Sequence, residues 1–129
     1  MNEIAARIHG YDIQPFAVTL TRTVLLFISY LYLDPEETQQ FDDLSFQNIE
    51  LLDPLASHEN TWQEDGLKFE YIVGNPPFMS VKKENIAHIG AYEDILSGHP
   101  NLYVMFIWWA VRSASRGGIV SFLLPQSIL

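Results

Sequence analysis

Apolar segments alternate with polar stretches along this chain, and the spacing of the apolar residues predicts helices in two places. The first predicted helix covers residues 15–31, and Asp34-Pro35 is expected to stop it. Its large apolar side chains recur at helical spacing on one face, which predicts that this face is buried. These side chains are Leu20, Val24, Phe27, Ile28 and Leu31. The second predicted helix covers residues 102–116, and Gly117-Gly118 is expected to end it.

Short segments with alternating or continuous apolar residues predict four β-strands. The first covers residues 7–11 and ends at Asp12, and the second covers residues 46–51 and stops at Asp53-Pro54. The third covers residues 68–73 and the fourth covers residues 119–124. The last is a continuous apolar run, which is typical of a strand buried on both faces. Strands that alternate with helices or long crossovers predict an α/β fold with a parallel sheet.

Three polar segments are predicted to be connections between these elements. They cover residues 36–45, 56–66 and 79–100. The third has weak periodicity and is long for a plain connection, which favours a functional loop that contains a short helix.

Composition excludes several classes of function. The 129 residues allow one small domain or part of a larger one, and an apolar content of 48% is enough for a core. A formal net charge of −9, with only seven scattered basic residues, argues against nucleic-acid binding through this segment alone. The absence of cysteine excludes disulfides and thiolate metal sites and is compatible with a cytoplasmic protein. Four dispersed histidines have no ligand spacing, so no metal site is predicted.

Residues 16–33 approach the length that spans a membrane. The segment contains Arg22 and several hydroxyl side chains, and its largest residues recur on one helical face. This pattern favours a helix packed on one side over a helix surrounded by lipid. No membrane contact is therefore predicted.

The most distinctive segment is an apolar run that ends in Asn75-Pro76-Pro77-Phe78. A strand cannot continue through two prolines, because each lacks an N–H donor and has a fixed φ. The chain is therefore predicted to leave a strand and enter a stiff loop, with Asn75 at the carboxyl end of the strand. Open α/β sheets place their ligand sites at that end. An amide, two rigid rings and an aromatic face together suit the binding of a flat, polar molecule.

Polar side chains follow three successive predicted strands, at Asp12, Asp53 and Asn75. Because the carboxyl ends of parallel strands meet at one edge, we expect these three residues to converge. One carboxylate could accept hydrogen bonds from ribose hydroxyls and the other from an adenine amino group. Taken singly, Asp12 and Asp53 are also typical turn or cap residues, so the prediction depends on the coincidence of all three.

These segments resemble the catalytic domain of amino-group DNA methyltransferases, particularly the adenine-specific type of restriction–modification enzymes. Residues 9–17 are similar to the segment that holds the ribose of S-adenosylmethionine, which implies cofactor binding by Asp12 and Ile13. Residues 48–53 are similar to the strand whose terminal acid, here Asp53, contacts the adenine of the cofactor. Residues 101–129 resemble the helix and strand that help to wall the target-base pocket. The resemblance implies an incomplete Rossmann-like class I methyltransferase fold with a mostly parallel sheet.

Residues 72–78 match the catalytic motif of that family. The resemblance implies that the Asn75 side-chain oxygen and the Pro76 carbonyl accept hydrogen bonds from the target amine. It also implies that Phe78 stacks on a base flipped out of the duplex and that Pro77 keeps the loop stiff. The expected reaction is methyl transfer from S-adenosylmethionine to the exocyclic amine of adenine in DNA.

Two alternatives remain open. The same tetrapeptide occurs in methyltransferases that act on protein glutamine or on RNA bases. A non-catalytic α/β module that serves only in assembly is the second alternative. Methylation of a cytosine ring carbon is excluded, because that reaction needs a nucleophilic cysteine and the chain has none.

The chain departs from the family pattern before Asp12. The glycine-rich loop that holds the methionine part of the cofactor should lie about 20 residues upstream, as in other doubly wound nucleotide sites. Only eleven residues precede Asp12, and none forms such a loop. We therefore expect residues 1–129 to be a partial catalytic domain that is inactive alone. We also expect it to meet DNA largely through other regions, and to self-associate through an exposed sheet edge.

Overall fold

A computed structural model describes residues 2–32, 45–56, 68–80, 92, 95 and 101–126, with the backbone alone for residues 2–4. The chain divides into two compact units, Met1–Pro54 and Leu55–Leu129. The helices and strands of the described ranges are α1 (Asn2–Arg7), β1 (Gly10–Asp12), α2 (Pro15–Tyr32), β2 (Ile49–Leu51), β3 (Phe69–Gly74), α3 (Leu102–Ser113) and β4 (Ala114–Phe122). The three predicted connections lie almost entirely outside the described residues, as does the predicted stop at Asp34-Pro35.

The first unit is built on two parallel strands and the long helix between them. β1 pairs with β2 in parallel, with Gly10 opposite Ile49 and Asp12 opposite Leu51. The Gln14 carbonyl accepts from the Val18 N–H at 3.2 Å, so α2 begins at Pro15, where a helix tolerates proline. Helix α2 contacts both strands. The core cluster of this unit contains Ala5, Val18, Phe46 and Ile49, with Ile8, Leu25 and Leu26 packed against it.

The predicted extent of α2 is confirmed, but the predicted buried face is wrong. Leu20, Val24, Phe27, Ile28 and Leu31 are between 44% and 62% exposed. Helix α2 is apolar on both sides, and the strands pack against the side that carries Val18, Leu25 and Leu26. By length and composition alone, α2 is also the one described helix that could cross a membrane.

The predicted first strand begins too early. Residues Asn2–Arg7 form α1, which sequence reasoning did not identify, and β1 begins only at Gly10. The Asn48 side-chain amide donates to the Ala6 carbonyl at 2.8 Å and so ties the end of α1 to the segment before β2. The second strand is also shorter than predicted. The Ile49 N–H donates to the Phe46 carbonyl at 3.1 Å, which makes residues 46–49 a turn.

Arg22 of α2 donates hydrogen bonds to backbone carbonyls at the start of β2, on the side away from β1. Its Nε and Nη2 donate to the Ile49 carbonyl at 3.0 and 2.6 Å, and Nη2 donates to the Gln47 carbonyl at 3.4 Å. The neighbouring Asn48 carbonyl instead accepts from the Gly10 N–H of β1 at 2.9 Å. Successive carbonyls in a strand point in opposite directions, so the guanidinium occupies the edge of β2 at Ile49. A charged side chain at this position protects the edge from pairing with another strand.

We predict that Arg22→Met destabilises the protein by about 1.5–3 kcal/mol, the usual range for hydrogen bonds that involve a charged group. Methionine keeps most of the apolar stem and removes only the donors. The free energy of unfolding in urea would measure the loss, with Thr21→Ala on the exposed side of the same helix as the control. Equal stability of the two variants would show that the Arg22 contacts contribute nothing.

In its described residues, the second unit contains the strand pair β3–β4 and the partly buried helix α3. β3 pairs with β4 in parallel, and α3 leads directly into β4. Helix α3 contributes buried Met105, Trp109, Ala110 and Ser113. The Ser113 hydroxyl donates to the Trp109 carbonyl at 2.8 Å, so this buried polar group is satisfied within the helix.

The predicted end of the second helix is wrong. Helix α3 stops at Ser113, because Ala114 is extended with ψ 141°. Gly117 and Gly118 therefore lie inside β4 and do not cap the helix. Between the pairs Phe69–Ala114 and Tyr71–Ile119, β3 advances two residues while β4 advances five. The glycine pair thus belongs to a bulge in β4 that contains three extra residues.

The bulge requires both glycines for different reasons. Gly117 has φ +82°, a conformation that residues with a Cβ rarely adopt. A Cβ on Gly118 would lie 2.9 Å from the Phe69 carbonyl oxygen and 3.0 Å from that of Ser115. Both of those atoms belong to the backbone, so they cannot move aside without disturbing the strand pair.

We predict that Gly118→Ala lowers the free energy of unfolding by about 1–3 kcal/mol, the usual cost of overpacking. Ser121→Ala, at an exposed position of the same strand, is the control. Thermal unfolding of both variants measures the difference. A Gly118→Ala protein as stable as the control would show that the bulge rearranges freely.

The prediction that the last strand is buried on both faces is also wrong. Ile119 is 56% exposed and Leu123, just beyond β4, is 65% exposed. From Gly118 to Phe122 the residues alternate between half-buried and exposed. This alternation is typical of a strand that packs on one face only. In the described part of this unit, β3 is the strand that pairs with β4 and α3 is the helix that contacts it.

Candidate functional site

The first group of candidate residues lies at the carboxyl ends of β1 and β2. Asp12 is the last residue of β1 and stands opposite Leu51, the last residue of β2. The Leu52 N–H donates to the Asp12 carbonyl at 3.0 Å, which continues the pairing by one residue and brings Asp53 to the same end. Both carboxylates are exposed. The two strand ends therefore present two acidic side chains at one edge, as the sequence predicts for them.

Asp12 also shapes the backbone locally. Its Oδ1 accepts a hydrogen bond from the Gln14 N–H at 2.7 Å, which is the geometry of an Asx turn. This turn redirects the chain from β1 into α2. A carboxylate can accept several hydrogen bonds, so one oxygen can hold the turn while the other receives a ligand donor. Ile13, between these two residues, is 67% exposed and adds an apolar surface at the same strand end.

Tyr11 and Glu50 stand opposite each other in the same strand pair. Burial raises the pKa of the Tyr11 hydroxyl above its usual value, and the negative charge of Glu50 raises it further. The phenol therefore stays protonated at neutral pH, and it adds no charge of its own beside Asp12.

The second group lies at the carboxyl end of β3. Gly74 is the last residue of β3 and pairs with Phe122. The Gly74 carbonyl accepts a hydrogen bond from the Leu123 N–H at 3.1 Å. Asn75 follows at once and is exposed, whereas Pro76 is buried. The predicted exit from a strand into a proline-stiffened loop is confirmed. The buried ring fixes the backbone beside an amide that remains accessible.

The far end of this loop is attached to the start of α3. The Leu102 N–H donates to the Met79 carbonyl at 3.0 Å, and Ser80 forms an isolated antiparallel bridge with Asn101. Asn101 is the N-cap of α3 and accepts from the Tyr103 N–H at 3.4 Å. The loop is therefore held both by the β3–β4 pair and by the first turn of α3.

Phe78 meets an aromatic partner that sequence reasoning missed. Its ring centroid lies 6.5 Å from that of Tyr103, with 74° between the ring planes, which is an edge-to-face arrangement. Phe78 is 47% exposed, and Pro77 beside it is exposed as well. An asparagine cap before an apolar helix places Tyr103 in the first turn of α3. Nothing in the sequence pattern, however, indicates that this turn packs against the loop.

The candidate residues are divided between the two units. Asp12, Ile13 and Asp53 belong to the first, and the loop of residues 75–78 belongs to the second. Convergence of all three strand ends on one edge stays a prediction. Among the described residues, no group of three or more His, Cys, Asp or Glu side chains could hold a metal ion.

Comparison with known proteins identifies the family. The model of the Eco57I restriction-modification methylase family matches residues 6–129. The match therefore includes both acidic strand ends and the whole Asn-Pro-Pro-Phe loop. A search of curated proteins finds no match. Because the family model covers nearly the whole sequence, the chain belongs to the Eco57I restriction-modification methylase family.

Proposed function

We propose that this protein transfers the methyl group of S-adenosylmethionine to the exocyclic amine of adenine in DNA. Membership of a restriction-modification methylase family supports DNA methyl transfer. The observation that carries the finer proposal is the loop of residues 75–78, which leaves the carboxyl end of β3 and is attached at both ends. When bound, S-adenosylmethionine supplies a methyl group made electrophilic by the adjacent sulfonium.

The loop suits an amine target because it offers two acceptors side by side. The adenine amine is conjugated with its ring, so its lone pair is a poor nucleophile. In our proposal the Asn75 side-chain oxygen and the Pro76 carbonyl each accept a hydrogen bond from one amine N–H. These bonds favour a more tetrahedral nitrogen and stabilise the positive charge that develops on it. As the bond between the nitrogen and the methyl group forms, the bond between that methyl group and the sulfonium sulfur would break, leaving a neutral thioether. The positive nitrogen would then lose one proton to water and become neutral.

The catalytic contribution of the loop is preorganisation. Acceptors that already point at the developing charge need no reordering during the reaction. Pro76 and Pro77 fix φ at two successive positions, and the burial of Pro76 fixes the backbone further. The same stiffness would restrict the orientation of the bound amine, which favours the transfer step.

Phe78 provides the aromatic surface for the base. Since 47% of its surface is exposed, the ring remains available for stacking. Enzymes that act on a base within a duplex extrude it into a pocket and stack it on aromatic side chains. We therefore assign the ring of Phe78 to the flipped adenine.

The acidic strand ends of the first unit fit the cofactor. Carboxylates accept hydrogen bonds only, which matches the donors of a ribose and of an adenine amino group. In our proposal Asp12 receives the ribose hydroxyls, Asp53 receives the amino group, and the exposed Ile13 contacts the adenine ring. The parallel pairing of β1 with β2 keeps the two carboxylates at one edge.

Charge suggests how the protein meets its substrate. A net charge of −9 with seven basic residues leaves little to neutralise phosphates. We propose that the DNA backbone is held largely by regions outside this sequence, and that the protein works in the cytoplasm.

Methyl transfer to RNA bases or to protein glutamine is the second candidate, because a glutamine amide also presents an NH₂ group to paired acceptors.

We predict that Asn75→Ala lowers kcat for methyl transfer by about 10²–10³, the usual effect of removing one such transition-state contact. The full-length product of the gene is incubated with methyl-labelled S-adenosylmethionine in three separate reactions. These contain unmethylated DNA, RNA, and a protein that presents a glutamine loop. Gln47→Ala removes an exposed amide elsewhere and is the control. An Asn75→Ala protein that methylates DNA at the wild-type rate would refute the mechanism, and label in RNA or protein alone would favour the second candidate.

A separate prediction concerns the cofactor. Asp12→Asn and Asp53→Asn should each raise the Kd for S-adenosylmethionine about tenfold or more, because each removes a charge-assisted hydrogen bond. Asparagine keeps the oxygen that accepts from Gln14, so Asp12→Asn preserves the turn. Glu50→Gln removes a carboxylate from the same strand pair and is the control for charge alone. Calorimetric titration of the full-length protein measures the Kd. Unchanged affinity in both Asp variants would contradict the assignment.

A further inference from the structure

We propose that Tyr103 is a positioning residue for Phe78, and that it sets the orientation in which the Phe78 ring meets the target base. This inference rests on the proposed function, because it deepens the role of the loop of residues 75–78. It is carried by the contact between the two rings and by the way in which α3 fixes one of them.

The backbone of the loop is fixed without any help from Tyr103. Its start is held by the bond from the Leu123 N–H to the Gly74 carbonyl, and its end by the bond from the Leu102 N–H to the Met79 carbonyl. Pro76 and Pro77 restrict φ between these points. The backbone hydrogen bonds therefore determine where the Cα of Phe78 lies, but not how its ring is oriented.

The ring of Phe78 needs a further constraint. With 47% of its surface exposed, it is only partly enclosed by the protein. A stacking surface is most effective when it already has the required orientation, because ordering a side chain on binding lowers affinity. The edge-to-face contact with Tyr103, at 6.5 Å and 74°, limits the orientations open to the ring.

Tyr103 is itself held firmly. It lies in the first turn of α3, where the Asn101 side chain accepts from its backbone N–H at 3.4 Å. The same helix is anchored by Met105 and Ala110, which are fully buried. Tyr103 is half-buried, so its ring has less freedom than that of Phe78. The buried residues of α3 therefore fix Tyr103, and contact with Tyr103 in turn restricts the orientation of the exposed Phe78 ring.

The contact joins the two rings, and the Tyr103 hydroxyl has no part in it. Tyr103→Phe should therefore retain the effect, whereas Tyr103→Leu should lose it. Since aromatic pairs contribute modestly, we expect Tyr103→Leu to lower kcat/KM for DNA by about 2- to 10-fold. The KM for S-adenosylmethionine should stay unchanged, because the effect concerns the base and not the cofactor.

A double-mutant cycle on the full-length protein tests whether Tyr103 acts through Phe78. The variants are Tyr103→Leu, Phe78→Leu and the two combined. If Tyr103 acts through Phe78, the double variant is no slower than Phe78→Leu alone. If the two losses multiply, or if Tyr103→Phe is as slow as Tyr103→Leu, the inference is wrong. Tyr71→Leu removes an exposed tyrosine from β3 and serves as the control for ring loss.

A second readout does not depend on methyl transfer. In protein that carries 4-fluorophenylalanine at position 78 alone, introduced at an amber codon, the spectrum contains one ¹⁹F resonance, and Tyr103→Phe adds no second label. We expect this resonance to shift in Tyr103→Leu and to keep its position in Tyr103→Phe and Tyr71→Leu. Tyr103→Met replaces Tyr103→Leu in both experiments if the leucine variant fails to fold.

The two readouts separate failure of the inference from failure of the proposed function. A Phe78 resonance that is unmoved by the loss of the Tyr103 ring overturns the inference whatever the activity. If the wild-type protein methylates no DNA but the resonance shifts, the positioning contact stands and the proposed function falls. If the resonance shifts while kcat/KM for DNA stays at the wild-type value, the contact exists but does not position the ring for the base, and the inference is wrong.

Discussion

The parallel pairing of β3 with β4 determines where the loop of residues 75–78 begins. The bond from the Leu123 N–H to the Gly74 carbonyl, at 3.1 Å, is the last in this pair before the prolines end the strand. A Cβ at Gly74 would lie 3.1 Å from the Phe122 ring, so a larger residue there requires that ring to shift by a few tenths of an ångström. The position of Asn75 therefore follows from the strand pair, which contains the bulge at Gly117 and Gly118 and which α3 contacts through β4.

The loop meets two requirements that usually conflict. In the proposed mechanism the Asn75 amide and the Phe78 ring have to be exposed to reach a base, yet exposed loops are ordinarily mobile. Here the exposed Asn75 follows directly on the β3–β4 pair and is next to the buried Pro76. The exposed Phe78 rests on the half-buried Tyr103, and the chain after it bonds to the start of α3. Asn75 and Phe78 are thus each next to a buried or half-buried residue, and their own side chains stay accessible.

The sequence predicts local features well where one residue type decides the outcome. Pro15 and the apolar run after it define α2, and the two prolines define the end of β3. The acidic ends of β1 and β2 also follow from local pattern. The predictions that fail depend on distant packing. Helix α2 has large apolar residues on more than one side, so the position of the strands decides that Val18 is buried and Leu20 exposed. Gly117 and Gly118 suit a helix end as well as a bulge, and the partnership of Tyr103 with Phe78 depends on where α3 docks.

In our proposal the Asn-Pro-Pro-Phe loop holds the amine of adenine in DNA through hydrogen bonds. The most direct measurement is the identity of the methylated nucleoside. Unmethylated DNA is incubated with the full-length protein and S-adenosylmethionine, digested to nucleosides, and analysed by mass spectrometry. We expect N6-methyladenine as the product. DNA that contains only N4-methylcytosine, or that remains unmethylated while RNA or protein is methylated, would contradict it.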